Sequence, residues 1–188
     1  MTARSIPIFS TIVVIAAVLT MVGLGFWQLQ RKGEKEALIA RYQAAATTTA
    51  EVPFPADDHA QGAWFRRSRI TCGRVSGLTT VSGTAATGQK GLAVRATCTQ
   101  GGFGKPITID LGFTRDLATP QWQGGEVTGV IAPGPRLVAD PPVAGLQPLA
   151  RPDPGDLPNN HLAYAGQWFF FALTALVIYV LAIRRRAR

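Results

Sequence analysis

The most informative polar side chain in this sequence is a histidine at the edge of an oily run. His161 opens the stretch HLAYAGQWFF, and Pro158-Asn159-Asn160 precedes it. Proline followed by two asparagines suits a helix start, with Asn159 or Asn160 able to cap the free N–H groups. On such a helix His161, Tyr164, Ala165 and Trp168 follow i, i+3, i+4, i+7 and share one face, continued by Ala172, Ala175 and Tyr179. The other rows, Leu162, Phe169, Leu173, Leu176 and Val180, are oily and suit lipid. One face is therefore aromatic and small, with an imidazole at its end. Neutral imidazole ligates iron and other metals. The plain alternative is an interfacial polar residue, with Tyr164 and Trp168 in an aromatic belt. Against that, Trp168 sits about 10 Å of helix rise beyond His161, which is deep for a belt residue.

Other chemistry is sparse. The sequence has no G-x-S-x-G, Walker A, G-x-G-x-x-G, H-E-x-x-H or C-x-x-C-H pattern, and no Cys-x-x-x-Cys copper pair. The second histidine, His59, lies in a polar Asp57-Asp58-His59 stretch and is expected to be exposed. Without an acid–base constellation, no enzymatic activity is expected. Cys72 and Cys98 fall on two candidate strands, 26 positions apart. Outside the cytoplasm they could form a disulfide, and otherwise they are two buried thiols.

The elements that must position these residues follow from charge and hydropathy. The 188 residues are 47% hydrophobic and 16% charged, which excludes a mainly disordered chain. Lys+Arg number 19 against 11 Asp+Glu, a formal charge of +8 that at first suggests nucleic acid. Its placement argues otherwise. Ser5 to Gln30 and Leu162 to Ile183 carry no charge, and each is long enough for a bilayer core, which needs about 20 apolar residues. Arg4 precedes the first run, and Arg184, Arg185, Arg186 and Arg188 follow the second. Both termini are thus expected in the cytoplasm, with no nucleic-acid partner and lipid around both spans. Arg31, Lys32 and Lys35 oppose this orientation weakly, because long loops are translocated largely regardless of charge. A cleavable signal peptide, with Gly23-Leu24-Gly25 as the cleavage site, is the alternative for the first run, which is longer than a usual signal core. The preponderance of Arg over Lys, with abundant Ala and Gly, favours a bacterial inner membrane over the mitochondrial one.

The expected organisation is a transmembrane helix over 6–29, a helical extension over 30–46, a periplasmic β-rich domain over 47–158, a second transmembrane helix over 161–183 and a basic tail over 184–188. On the extension Arg31, Lys35, Leu38 and Tyr42 share a face. In the first span Ala16, Thr20, Gly23 and Trp27 form a small-residue stripe ending in Trp, expected to face the stripe of the second span or a third partner. Phe65–Val75, Leu92–Cys98, Ile107–Phe113 and Val127–Ile131 read as strands, with turns at Gly101-Gly102 and Gly124-Gly125. The fold class is an integral membrane α+β protein whose two transmembrane helices flank a small sandwich or partly open barrel. Residues 132–158 hold eight prolines and read as an extended connector with little room for regular structure.

Two motifs resemble the Surfeit locus protein 1 family. One is Gly25-Phe26-Trp27-Gln28-Leu29-Gln30-Arg31, with Lys35 further on. The other is Asn159-Asn160-His161-Leu162-Ala163-Tyr164-Ala165-Gly166-Gln167-Trp168-Phe169. Between them Phe65-Arg66-Arg67 to Gly73 and Val127-Thr128-Gly129-Val130 resemble family strands. Asp110-Leu111-Gly112-Phe113 replaces the usual Asn-Arg-Gly-Trp, and Glu34 stands where the family often has Trp. The resemblance implies a cytochrome c oxidase assembly factor that binds haem a transiently at the outer membrane interface. It would assist haem insertion into oxidase subunit I, with haem a synthase as a further candidate partner. By the same resemblance His161 is the iron ligand, Tyr164 and Trp168 line the macrocycle, and Trp27 covers it from the first span. A structural clamp that stabilises an oxidase assembly intermediate without binding haem is the alternative.

Overall fold

A computed structural model describes residues 8–55, 61–99, 105–118 and 120–187. Arg4, His59, the Gly101-Gly102 turn and Arg188 lie outside the described residues. The chain forms two compact units. One holds the described parts of Met1–Leu38 and Pro158–Arg188, and the other those of Ile39–Leu157.

The first unit is a pair of helices, α1 (Ile8–Ala46) and α2 (His161–Ala187), of which α1 continues into the second unit. Their most apolar stretches have mean hydropathies of 2.4 and 2.0, and only 6% of either stretch is buried. A core helix of a soluble protein would be mostly buried; here Ile12, Ile15, Leu19, Leu173 and Leu181 face outward, as lipid requires. Both helices are long and apolar enough to cross a membrane. Gly33 does not interrupt α1, because Gln30 and Arg31 both reach Glu34 and Lys32 reaches Glu36, giving i,i+3 and i,i+4 support around it. Arg184, Arg185 and Arg186 close α2, where cations suit the helix dipole.

The faces that meet differ in part from the expected stripes. On α1 Thr11, Val14, Val18, Met21, Gly25 and Gln28, spaced alternately by three and four, are withdrawn from the surface, with Val22 and Leu24 beside them. On α2 His161, Ala165, Trp168, Ala172, Ala175 and Tyr179 follow the same alternation, with Phe169 and Thr174 beside them. This is the 3.5-residue period of two helices side by side. The stripe Ala16, Thr20, Gly23 and Trp27 is exposed, and nothing lies within 4 Å of a Cβ built on Gly23. Small size alone did not define the contact face. Phe169 also leaves the lipid row: a Cβ on Gly25 would lie 2.5 Å from its ring, and it meets Phe26 edge-on at 5.4 Å. Neither Asn159 nor Asn160 caps α2 with its side chain. The Asn160 backbone carbonyl accepts from Tyr164 N–H at 3.2 Å, and Asn159 Oδ1 is buried without a partner.

The second unit is one six-stranded mixed sheet. Its strands are β1 (Arg67–Cys72), β2 (Arg74–Thr84), β3 (Lys90–Thr99), β4 (Ile107–Thr114), β5 (Gly125–Ala132) and β6 (Arg136–Ala139). The order is β1-β5-β6-β4-β3-β2, antiparallel except for the parallel pair β4/β6. The two edge strands, β1 and β2, are joined by the single residue Gly73. Six flat strands at about 4.8 Å spacing would hold those edges roughly 24 Å apart. The sheet must therefore curl back on itself, which makes it the partly open barrel rather than the sandwich. A disulfide between Cys72 on β1 and Cys98 on β3, with Cα atoms 5.4 Å apart, joins strands that are not neighbours in the sheet. It decides between bridge and free thiols.

The core lies inside the curl. Val94, Ile109, Leu111, Ile131 and Leu137 are fully buried. The strand expected from Phe65 begins only at Arg67, since Phe65 is buried in a left-handed conformation, φ 64°. Phe65 and Trp64 pack on Tyr42 from the last turns of α1. Gly124 and Gly125, at φ 108° and 130°, make the turn expected of them. Two strands had no clear apolar signature. β2, RVSGLTTVSGT, is a half-exposed edge strand with few side chains to bury. β6 corrects the view of 132–158 as an irregular connector. Its four residues, RLVA, fall between Pro135 and Pro141, so every backbone N–H is free for the ladder, and the strand sits between β4 and β5.

Candidate functional site

His161 is the first residue of α2, and the paired helices bring it opposite Gln28 of α1. Its Nδ1 lies 2.7 Å from Gln28 Oε1. A carbonyl oxygen can only accept, so with this contact Nδ1 carries the proton and Nε2 presents a lone pair. Among the described residues Nε2 has no hydrogen-bond partner.

A second polar contact ties the helices at their other end, between the Thr11 and Tyr179 hydroxyls. Thr11 to Gln28 is 17 positions and His161 to Tyr179 is 18, each about 26 Å of rise at about 1.5 Å per residue. The two contacts thus fit one antiparallel register. Gly25, one turn from Gln28 along α1, leaves room for the Phe169 ring, and Ala165, one turn from His161 along α2, is fully buried.

The other expected site residues are placed as follows. Tyr164 is 49% exposed, one turn beyond His161 and beside the contact face rather than in it. Trp168 is half-buried on the contact face, its ring 6.4 Å from Phe171 and nearly perpendicular to it. Trp27 is 50% exposed and turned out of the helix contact, with the Arg31 guanidinium 6.0 Å from its ring centroid. The structure thus joins His161 to α1 through Gln28, the neighbour of Trp27. The sequence alone assigns Gln28 no role. The signal was present: Gln28 is a polar residue at the end of an apolar run, in the three-four register of Thr11 to Gly25. Among the described residues no group of three or more His, Cys, Asp or Glu gathers as a metal cluster.

The sheet carries its own charged centre. Asp110 on β4 is 4% exposed and accepts from Arg95 at 2.6 and 3.1 Å and from Arg136 at 2.8 Å. These three line a cleft of about 260 Å³ with Arg151 and Asp156. The hydrogen bonds that Arg95 donates to Asp110 raise the Arg95 pKa above its ordinary value, and burial opposes them. Asp110 is thus the shared counter-ion of Arg95 and Arg136.

No curated protein matches the chain. The SURF1 family model matches residues 15–173, from within α1, through the whole sheet, to the middle of α2. The match takes in both helix motifs and the residues that join them, and the chain belongs to the SURF1 family.

Proposed function

We propose that this chain is a cytochrome c oxidase assembly factor that holds haem a at the outer membrane interface and assists its insertion into oxidase subunit I. Family membership supports a role in cytochrome oxidase assembly in general, and the family is one of assembly factors rather than of enzymes. The observation that carries the haem reading is the Gln28–His161 hydrogen bond. It orients the ring and leaves Nε2 open, as outer-shell partners do for metal-bound histidines. Bound haem a would supply iron as a Lewis acid, and His161 would be the residue that holds it through a neutral imidazole. Tyr164 and Trp168 share the His161 helix and offer aromatic surface to the macrocycle, and half-exposed Trp27 offers a third ring.

The chain would lie in a bacterial inner membrane with both termini cytoplasmic and the sheet periplasmic. The terminal arginines and the Cys72–Cys98 disulfide, a feature of oxidising compartments, support this. Haem a synthase is the proposed donor and subunit I the recipient.

The test is co-expression with the haem a synthesis enzymes, purification and a visible absorption spectrum, repeated with His161→Ala. A haem a spectrum in the wild type, lost in the variant, is the expected result. A colourless wild type that still co-purifies with subunit I would instead favour a clamp that never touches haem. An unchanged spectrum in the variant would remove His161 as the ligand.

A further inference from the structure

We propose that Gln28 is a positioning residue: it holds His161 in the Nδ1–H tautomer, so that Nε2 alone presents a lone pair. The identity of the iron rests on the haem reading above; the tautomer does not.

The geometry is specific. Free histidine in water favours the Nε2–H form, so an Nδ1–H ring needs an acceptor beside Nδ1. Gln28 Oε1 supplies it at 2.7 Å. The acceptor cannot drift along α2, because Thr11–Tyr179 pins the other end of the helix pair in the same register. Nor is the contact water-screened in the manner of an exposed pair, since Gln28 and His161 are each half-buried between apolar helices, where hydrogen bonds strengthen. The acceptor is also chemically graded. A carboxylate at this position would pull the Nδ1 proton and make Nε2 a strong donor to iron. A neutral amide orients the ring and polarises its Nδ1–H only weakly. That suits a carrier that must release what it binds. Gln28 is thus assigned two effects, the choice of ligating nitrogen and a moderate ligand strength.

The experiment uses the full chain in detergent micelles with ¹⁵N-labelled histidine, and His161→Ala assigns the two histidines. Expected in the metal-free wild type is the Nδ1–H pattern for His161, shifting towards Nε2–H in Gln28→Leu. A wild type with Nε2–H, or a tautomer unchanged by Gln28→Leu, overturns the proposal. In the haem-loaded chain, Gln28→Leu should lower haem retention about 10-fold. Gln28→Glu should restore retention and lower the midpoint potential of the iron. A merely structural role predicts equal haem loss in both variants with the potential unmoved, and that result also overturns it. If the wild type takes up no haem, the carrier reading fails while the tautomer measurement still decides this proposal.

Discussion

At the scale of single residues, two polar side chains are held by partners that define their chemistry. His161 faces one neutral acceptor and keeps a free ring nitrogen. Asp110 faces two guanidiniums, which engage both of its oxygens. Removing the Asp110 charge would leave two half-buried cations without their counter-ion. Asp110→Asn is therefore expected to destabilise the chain by about 3 kcal/mol, the lower end of the range for breaking a buried pair, because both arginines reach solvent. Urea denaturation of the solubilised chain reads this, and a loss below about 1 kcal/mol would show the network to be superficial. The position of His161 at the start of α2 was legible in the sequence, because Pro158 and the asparagines precede the apolar run there. Gln28 was not, because glutamine is unremarkable until its neighbour across the helix pair is known.

At the scale of elements, the three-four alternation decides which helix faces meet. Ala165 and Ala172 are buried in that contact, whereas Gly23 is open. Ala165→Leu is expected to wedge the helices apart, costing about 1–3 kcal/mol as overpacking does, and to separate Gln28 from His161. Gly23→Leu should leave the pair intact. A detergent-denaturation midpoint compares the two, and equal effects would overturn the assigned faces. Among the strands, β3, β4 and β5 were legible as apolar runs between Gly and Pro signals. β2 was not, because an edge strand with one open face needs little hydrophobic pattern. β6 was hidden by its prolines, which flank the four paired residues without entering them.

At the scale of the whole molecule, the curled sheet is closed by one covalent bond and rimmed by ion pairs. Cys72–Cys98 closes a 26-position loop, for which the chain-entropy model gives about 3.5 kcal/mol. Reduction should lower the urea midpoint accordingly, and an unchanged midpoint would show that the sheet holds its curl without the bridge. Two carboxyls beside that sheet are held below their usual range. Hydrogen bonds from Arg69 lower Glu51. For Asp140 burial pushes the pKa up, and hydrogen bonds from Arg151 and Arg67 more than offset it. Near pH 4 the unfolded chain therefore binds more protons at these sites than the folded one. Their contribution is full above the ordinary carboxylate range and is lost as pH falls through the folded values. The urea midpoint is expected to be flat from about pH 7 to 5 and to fall below about pH 4, with a shallower fall in Glu51→Gln/Asp140→Asn. A fall of the same steepness in that double variant would place the acid sensitivity elsewhere. Reporter fusions test the proposed orientation: a periplasm-dependent reporter should be inactive at either terminus and active when inserted between Gly134 and Pro135.

The sequence by itself determined two apolar helices, a β-rich middle and a histidine at the rim of the second helix. Each follows from local composition and spacing, since burial in lipid needs only a run of apolar side chains and a strand only a short apolar stretch between turns. Tertiary structure alone decided that Gln28 meets His161, that Trp27 and Gly23 turn away from α2, and that Gly73 and the disulfide curl six strands into one open barrel. These depend on which faces and edges meet across long separations in the chain, and a difference of one residue in helical phase is enough to exchange a buried face for an exposed one.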